Sequence, residues 1–189
     1  MGREFELKYT ASPEKLREIR QLWENWETIS MATTYFDTAS GLLSSQNCTL
    51  RTRLENGISV CTLKTPTQGY GRGEWDKAGP WCAETVEELF QKAERTPVAF
   101  DDLQEVCGAR FTRLAKTVEL PGCTVEISLD EGVLMVGGRE TPLCEMEVEV
   151  KSGDEKAAVI FAKYLAERFA LCEETKSKFC RAALLAKGE

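Results

Sequence analysis

Charged and apolar residues alternate at the start of the chain, in residues 4–8 (EFELK). Successive side chains of a β-strand point to opposite faces, so this alternation predicts a strand with three charged side chains on one face. The pattern returns near the other end of the chain, where Glu145, Glu147 and Glu149 alternate with apolar residues. A sheet with one solvated face would show the same alternation in any single strand. Several such strands that turn their charged faces toward one another would instead enclose a polar interior.

Turn-forming residues divide the remaining strand-like segments. Strands are predicted over residues 32–38, 50–54, 58–65, 109–120, 124–130 and 143–150. Residues 55–57 (ENG) predict a hairpin turn, and Pro121-Gly122 and Gly137-Gly138 separate the last three strands. Residues 66–73 have the composition of a loop but lack the spacing of a phosphate loop.

Helical spacing of apolar residues predicts the other elements. A helix is expected over residues 13–26 after the N-cap Ser12, a second opens at the capping box of Thr85 and Glu88, and residues 100–106 form a short third. Asp154 caps a further helix, and a final helical segment ends at Lys187-Gly188. The helix after Asp154 is expected to bury Ala157, Ile160, Phe161, Tyr164, Leu165 and Phe169.

Length and charge restrict the class of protein. The chain has 189 residues, of which 42% are hydrophobic, and we expect one domain over residues 1–189. The formal charge of −7 argues against a broad basic surface for nucleic acid, so any phosphate site should be internal. The sequence shows no leader and no apolar run that reaches a membrane span, which predicts a soluble cytoplasmic protein.

Histidine and cysteine usage narrows the chemistry. Histidine is absent, which removes the commonest general base and zinc ligand, so a metal ion would be held mainly by carboxylates. The eight cysteines form no CxxC pair and are expected to be thiols.

The charged faces taken together favour a closed antiparallel barrel with a hydrophilic lumen, because they carry both signs in quantity while the other faces can pack under helices. The acids on these faces are Glu4, Glu6, Glu74, Glu126, Asp130, Glu145, Glu147 and Glu149. The bases are Lys8, Arg51, Arg53, Lys64, Arg72, Arg113, Lys178 and Arg181.

These motifs resemble those of the CYTH domains of the triphosphate tunnel metalloenzyme superfamily. The family signature ExExK is present as residues 4–8, and further matches follow in the family's order over nearly the whole chain. They are residues 35–38 (YFDT), 50–53 (LRTR), 63–64 (LK), 72–75 (RGEW), Arg113, 126–130 (EISLD), 144–149 (CEMEVE) and 177–178 (SK) with Arg181.

The resemblance implies an α+β fold with a closed tunnel of eight antiparallel strands, a charged lumen and helices packed outside. It implies hydrolysis of a triphosphate, with inorganic triphosphate as the first expected substrate and Mg²⁺ or Mn²⁺ as the cofactor. The implied metal ligands are Glu4, Glu6, Asp130, Glu147 and Glu149. The implied substrate-binding residues are Lys8, Arg51, Arg53, Lys64, Arg72, Glu74, Arg113, Lys178 and Arg181. Lys64 and Arg113 are also predicted to act in catalysis, with Glu126, Glu145 or Glu147 orienting the attacking water.

Other functions fit the same residues. Thiamine triphosphatases and adenylate cyclases share this tunnel and must also hold a triphosphate. A non-catalytic polyphosphate-binding module would use the bases alone, and the acids at both ends of the chain argue against it. Glu74 and Arg181 could instead be ordinary solvated charges.

Overall fold

The computed structural model describes residues 2–67 and 72–187, with side chains from 4–67 and 72–185. Within these residues the chain forms one antiparallel sheet of ten strands together with five α-helices. The strands are β1 (Gly2–Glu4), β2 (Glu6–Thr10), β3 (Glu27–Thr38), β4 (Thr49–Glu55), β5 (Ile58–Pro66), β6 (Arg72–Ala78), β7 (Leu103–Leu120), β8 (Cys123–Val136), β9 (Arg139–Gly153) and β10 (Cys172–Glu173). The helices are α1 (Pro13–Arg20), α2 (Leu42–Ser45), α3 (Ala83–Lys92), α4 (Glu155–Arg168) and α5 (Lys178–Lys187).

The N-terminal segment connects the two sides of the sheet. The strand order is β1-β6-β5-β4-β3-β7-β8-β9-β2-β10. Only Phe5 separates β1 from β2, yet β1 pairs with β6 and β2 pairs with β9. The segment therefore brings distant strands together around one interior. The predicted α+β tunnel fold is confirmed, but the described sheet has ten strands instead of eight, and its hydrogen-bonded order ends at β1 and β10 instead of closing.

The outer face of the sheet carries two apolar cores. Helices α1 and α4 cover β2, β8 and β9, where Ile19, Ile127 and Leu165 belong to one buried cluster. Helices α2 and α3 cover β4 and β5, where Leu50 and Leu89 belong to another. Burial of these side chains removes the apolar half of each alternating strand from water. The charged half is therefore left to face the interior.

Helix α5 lies against the inner face of the sheet. Phe111 shares a face with Arg113, because the two residues are separated by one position in β7. Phe179 and Ala182 of α5 pack in the cluster that contains Phe111. One end of the interior is therefore filled by an apolar helix. The prediction of helices packed outside holds for α1 to α4, whereas α5 packs inside because the inner residues at this end are apolar.

The first helix is shorter than predicted. Helix α1 ends at Arg20, whereas the spacing of apolar residues predicted a helix to residue 26. Asn25 has a φ of 56°, which interrupts helical backbone, and the Trp26 ring N–H donates to the carbonyl oxygens of Arg20 and Trp23. Trp23 and Trp26 still pack against the core under α1, so their apolar spacing reflects burial instead of helix.

Two further helix predictions need correction. Helix α3 begins at Ala83 after the N-cap Cys82, so Thr85 and Glu88 do not form the predicted capping box. Residues 100–106 are not a helix: a single 3₁₀ turn at Phe100–Asp102 leads directly into β7. Pairing with β3 extends to Leu103, so the sheet ladder overrides the local helical pattern.

Helix α4 is confirmed, but its buried face differs from the prediction. Ile160 and Tyr164 are 71% and 53% exposed. The predicted burial of Leu165 and Phe169 is confirmed. In place of Ile160 and Tyr164 the helix buries Ala158 and Ala162, whose small side chains let its backbone lie close to the sheet. The apolar spacing alone did not distinguish the two faces.

Several smaller predictions can be compared directly with the structure. The turn of the β4–β5 hairpin is confirmed, and Asn56 and Gly57 have the positive φ values, 49° and 86°, that a type I′ turn requires. All eight cysteines are free thiols. None of the described helices is long and apolar enough to cross a membrane. Residues 68–71 of the predicted loop and Gly188 of the predicted C-cap lie outside the described residues.

Candidate functional site

The strand register brings the acidic faces together on one wall of the interior. Glu6 of β2 pairs with Glu149 of β9, and Lys8 pairs with Glu147. On the other side of β9, Glu145 pairs with Asp130 of β8. Directly opposed residues point to the same face of an antiparallel sheet. Residues distant in sequence therefore meet on one surface.

The opposite wall is built from β3 to β6 and is mainly basic. Arg51 of β4 lies opposite Tyr35 on one side and Thr62 on the other. Lys64 of β5 lies opposite Glu74 of β6. The same alternation that buries Leu50 and Leu63 under α3 therefore turns these charged side chains inward.

The two walls enclose a cavity of about 900 Å³. Its basic lining residues are Lys8, Arg51, Arg53, Lys64, Arg72, Arg113, Lys151, Lys176 and Lys178. Its acidic lining residues are Glu4, Glu6, Glu55, Glu74, Asp76, Glu147 and Glu149. Nine bases against seven acids give the described lining a formal charge of +2, although the whole chain carries −7. The interior is therefore the region of the described protein that favours an anion.

At the cavity floor, Glu147 forms an inner acid cluster with Asp130 and Glu145, which lie beneath it. Each offers an oxygen, and these oxygens lie within 4.8 Å of one another, an arrangement that could hold a metal ion. The Lys178 ammonium already lies among them: its Nζ is 2.8 Å from Asp130 Oδ2 and from Glu147 Oε1, and it also contacts Glu145. Lys178 therefore supplies one positive charge to all three acids.

Two arginines complete the neutralisation of the inner acid cluster. Arg113 donates from Nε and Nη2 to the two Asp130 oxygens, both at 2.8 Å, and from Nη2 to Glu147 Oε2 at 2.6 Å. Arg181 pairs with Glu145. Burial alone would raise the pKa of Glu147, but Lys178, Arg113 and Lys8 hold that pKa well below its usual range. Glu147 is therefore charged, burial raises the pKa of Glu145 against the pull of Lys178 and Arg181, and all three acids are paired with cationic side chains.

Three outer acids, Glu4, Glu6 and Glu149, line the cavity. Lys64 Nζ lies 2.6 Å from Glu4 Oε2, and Lys8 Nζ lies 3.2 Å from Glu6 Oε1. Burial raises the pKa of Glu149, which Lys151 lowers and the neighbouring charges of Glu4 and Glu126 raise further. Acid crowding at this end is therefore only partly relieved by lysine.

Arg53 of the basic wall lies close to other positive charges. Arg53 is buried, donates from Nε to Thr33 Oγ1 at 3.1 Å, and has Nη1 3.5 Å from Glu55. Burial, together with the nearby positive charges of Arg51 and Arg113, lowers the pKa of Arg53 to about 10. An anion in the cavity would relieve this repulsion.

Arg72 is held by the protein's own oxygens. Its Nη2 donates to the Asn47 carbonyl at 2.7 Å and to the Lys64 carbonyl at 3.3 Å, and its guanidinium also contacts Thr49 Oγ1 at 3.3 Å. These contacts fasten β6 to β5 and to the residues before β4. Arg72 lines the cavity but has few donors left for a ligand.

The structure brings most of the predicted site residues to the cavity. Twelve of the sixteen line it, and the four that do not are Glu126, Asp130, Glu145 and Arg181. Asp130 and Glu145 are fully buried within the ion pairs below the floor. Glu126 lies beside Lys151 at 3.4 Å. The ligand and catalytic roles of all sixteen residues stay predictions.

Sequence reasoning missed four charged lining residues, Glu55, Asp76, Lys151 and Lys176. Three of them had a visible signal. Lys151 continues the alternation of Glu147 and Glu149, Asp76 continues that of Glu74, and Glu55 continues that of Arg51 and Arg53 to the end of β4. Asp76 accepts a hydrogen bond from Thr62 at 2.6 Å. The position of Lys176 depends on the segment before α5, which no periodicity predicts.

The donor chemistry fits a hard divalent cation at the outer acids better than in the inner acid cluster. Mg²⁺ and Mn²⁺ prefer oxygen ligands, and a few carboxylates with waters or phosphate oxygens are sufficient for Mg²⁺. In the inner acid cluster, Lys178 and Arg113 would have to leave buried ion pairs. At the outer acids, Glu4, Glu6 and Glu149 face the open cavity and their lysine partners border the same space.

The strands enclose a tunnel with a basic wall and an acidic wall, and this arrangement is suited to a small, highly charged ligand. The chain belongs to the CYTH domain family, whose profile matches residues 2–183.

Similar proteins include an inorganic triphosphatase from Haemophilus influenzae, which is 28% identical in an alignment 179 positions long that covers 87% of this chain and 50% of that protein. This chain thus spans about half the length of the curated relative that it matches. A putative adenylate cyclase from Bacillus halodurans has the same fold, with a TM-score of 0.69, 21% identity and coverage of 96% of this chain and 98% of that one. A putative adenylyl cyclase from Hippeastrum, described as having a dominant triphosphatase activity, gives a TM-score of 0.68, 18% identity and coverage of 95% and 94%.

Proposed function

We propose that this chain hydrolyses a small triphosphate in a reaction that depends on Mg²⁺ or Mn²⁺, with inorganic triphosphate as the preferred substrate. The observation that supports the proposal most strongly is the cavity lining of net charge +2 in a chain of −7. Membership of the CYTH family and similarity to an inorganic triphosphatase support the same reaction class.

The basic wall would bind the phosphates. Arg51 and Arg53 present guanidinium groups that can contact phosphate oxygens in pairs, while Lys64 acts as a point charge. Phosphoryl transfer needs mainly positioning of the phosphates and stabilisation of their charge, so a sheet that holds several bases in place is suited to it. Arg113, held in place by Asp130, would contact the substrate from the floor of the cavity.

Glu4, Glu6 and Glu149 would hold the divalent cation, with Glu147 beside them. When bound, that ion would neutralise phosphate charge and lower the pKa of a coordinated water. Asp130 is assigned a positioning role instead, because it is fully buried and engaged by Arg113 and Lys178.

Glu147 is the best placed of the three carboxylates predicted to orient the attacking water. It lines the cavity and is fixed by Arg113 at 2.6 Å and by Lys178 at 2.8 Å. Glu145 is fully buried and Glu126 does not line the cavity. We therefore assign the orienting role to Glu147, with Arg113 and Lys178 as its positioning residues.

Phosphate release from inorganic triphosphate, ATP and thiamine triphosphate tests the proposal. The assay is run with Mg²⁺, with Mn²⁺ and with EDTA. We expect the highest kcat/KM on inorganic triphosphate, with diphosphate and phosphate as products and no turnover in EDTA. Metal-independent turnover would contradict the assigned mechanism.

The same panel separates the alternative functions. Cyclic AMP formation from ATP would identify a cyclase, and preference for thiamine triphosphate would identify an organic triphosphatase. Tight binding of triphosphate without turnover in any metal would identify a non-catalytic polyphosphate-binding module. Each of these results would overturn the proposed substrate or activity.

A further inference from the structure

The sequence contains the ExExK pattern twice. Residues 4–8 form the first copy, and residues 147–151 (EVEVK) form the second in β9. The two copies run antiparallel, with Glu6 opposite Glu149 and Lys8 opposite Glu147. They are therefore related by a local pseudo-twofold relation, and Lys151 is the counterpart of Lys8.

The two lysines make equivalent ion pairs. Lys8 Nζ lies 3.2 Å from Glu6, two residues earlier in its own strand, and Lys151 Nζ lies 2.8 Å from Glu149 in the same way. Each lysine also approaches a carboxylate on a neighbouring strand: Lys8 is 3.8 Å from Glu147 and Lys151 is 3.4 Å from Glu126. Lys151 thus bridges two acids of the outer end.

The surroundings of the two lysines differ. The Lys8 side chain is 8% exposed and lies between acids in the floor of the cavity, so its ammonium has little space to move. The Lys151 side chain is 39% exposed and borders the open cavity. Lysine has a flexible stem, so Lys151 can withdraw toward solvent without leaving a buried charge.

We propose that Lys151 is a resident counter-cation of Glu126 and Glu149 that a divalent ion must displace, and that it thereby limits the metal affinity of this site. The inference rests on the proposed metal-dependent function. A unit positive charge that touches Glu149 repels a second cation approaching the same carboxylate. The site would therefore stay occupied by lysine at low metal concentration and exchange it for the ion at higher concentration.

Direct binding of Mn²⁺ to the protein without substrate tests the inference, with calorimetry as the readout. We expect Lys151→Gln to bind Mn²⁺ about tenfold more tightly, because one unit charge near the ion is removed at a partly exposed position. Lys151→Arg keeps the charge and is expected to bind as the unaltered chain does. Lys176→Gln is the matched control, since Lys176 also lines the cavity but forms no ion pair among the described residues.

The outcomes separate this inference from the proposed function. Unchanged or weaker Mn²⁺ binding by Lys151→Gln, in a chain that retains metal-dependent hydrolysis, overturns the role of Lys151 alone. The same enhancement in Lys176→Gln would also overturn it, because the effect would then come from general cavity charge. Absence of Mn²⁺ binding and of metal-dependent hydrolysis in every variant overturns the proposed function and this inference with it.

Discussion

Replacing Lys178 with methionine tests whether the inner acid cluster depends on one buried cation. Lys178 begins α5, is 6% exposed, and lies 2.8 Å from Asp130 and from Glu147. Methionine preserves most of the apolar stem but removes the charge. Asp130, Glu145 and Glu147 would then keep only their contacts with the remaining bases.

The expected cost follows from the burial of the ion pairs. Removal of one partner from a buried pair destabilises a protein by about 3–5 kcal/mol. With a urea dependence of about 2 kcal/mol per molar, the unfolding midpoint at pH 8 should fall by about 1.5–2.5 M. The matched control is Lys176→Met, which changes an exposed lysine two residues away and should alter stability by about 0.5 kcal/mol or less.

The pH dependence of the two chains should have opposite signs. In the unaltered chain the pKa of Glu147 is held well below its usual range, so its stabilising contribution is present above about pH 4.3 and is lost as the pH falls. In Lys178→Met the pKa of Glu147 should rise above that of the unfolded chain, and the pKa of Glu145, which burial already raises in the unaltered chain, should rise further. The variant should therefore lose less stability, relative to the unaltered chain, at pH 5 than at pH 8.

Urea unfolding followed by circular dichroism at both pH values checks these expectations. A loss below about 1 kcal/mol at pH 8 would refute the claim that the Lys178 charge holds the acids together. An equal loss at pH 5 and pH 8 would show that methionine acts through packing of α5 and would refute the electrostatic reasoning.

Three other predictions follow from the cavity. Glu6→Gln should lower kcat/KM with Mg²⁺ by about 100-fold or more with no change in thermal unfolding. The control variant Glu24→Gln, at an exposed position, should leave both kcat/KM and thermal unfolding unchanged. Equal activity of the two variants would remove Glu6 from the metal site. Arg53→Met should raise KM for triphosphate about tenfold without loss of stability, because it removes a charge that is buried and is also repelled by Arg51 and Arg113. Unfolding at a markedly lower temperature would contradict this explanation of the lowered pKa of Arg53. Arg72→Ala should lower the unfolding temperature, because it breaks hydrogen bonds to the carbonyl oxygens of Asn47 and Lys64. A raised KM with an unchanged unfolding temperature would show instead that Arg72 binds substrate.

The alternation of charged and apolar residues predicted the main strands well because each face of this sheet has a fixed environment. The outer face packs under helices and the inner face lines a charged cavity, so the period of two is retained through β8 and β9. The prediction of where the helices pack failed where the inner face of the sheet is apolar instead of charged. Phe111 continues the inner face of β7 beyond Arg113 but is apolar, and only the structure shows α5 packed against it.

The sequence predicted which residues line the cavity better than it predicted their ion-pair partners. Sequence alternation places Asp130, Glu145 and Glu147 on one face, but it does not show that Lys178 enters from α5 between them. Likewise, Lys151 extends a visible pattern, yet its bridge from Glu149 to Glu126 depends on the register of β8 against β9. Long-range register and helix docking decide which acids remain open to a metal ion.

A crystal structure of the chain with Mn²⁺ and inorganic diphosphate would locate both the metal ion and the phosphates. We expect an anomalous Mn²⁺ peak in the cavity, coordinated by at least one of Glu6 and Glu149, with phosphate oxygens against Arg51 or Arg53. Lys178 should remain among the inner acids and Lys151 should have left Glu149. A Mn²⁺ ion bound between Asp130 and Glu145, or a diphosphate bound only on the outer surface, would refute a metal and phosphate site in the cavity.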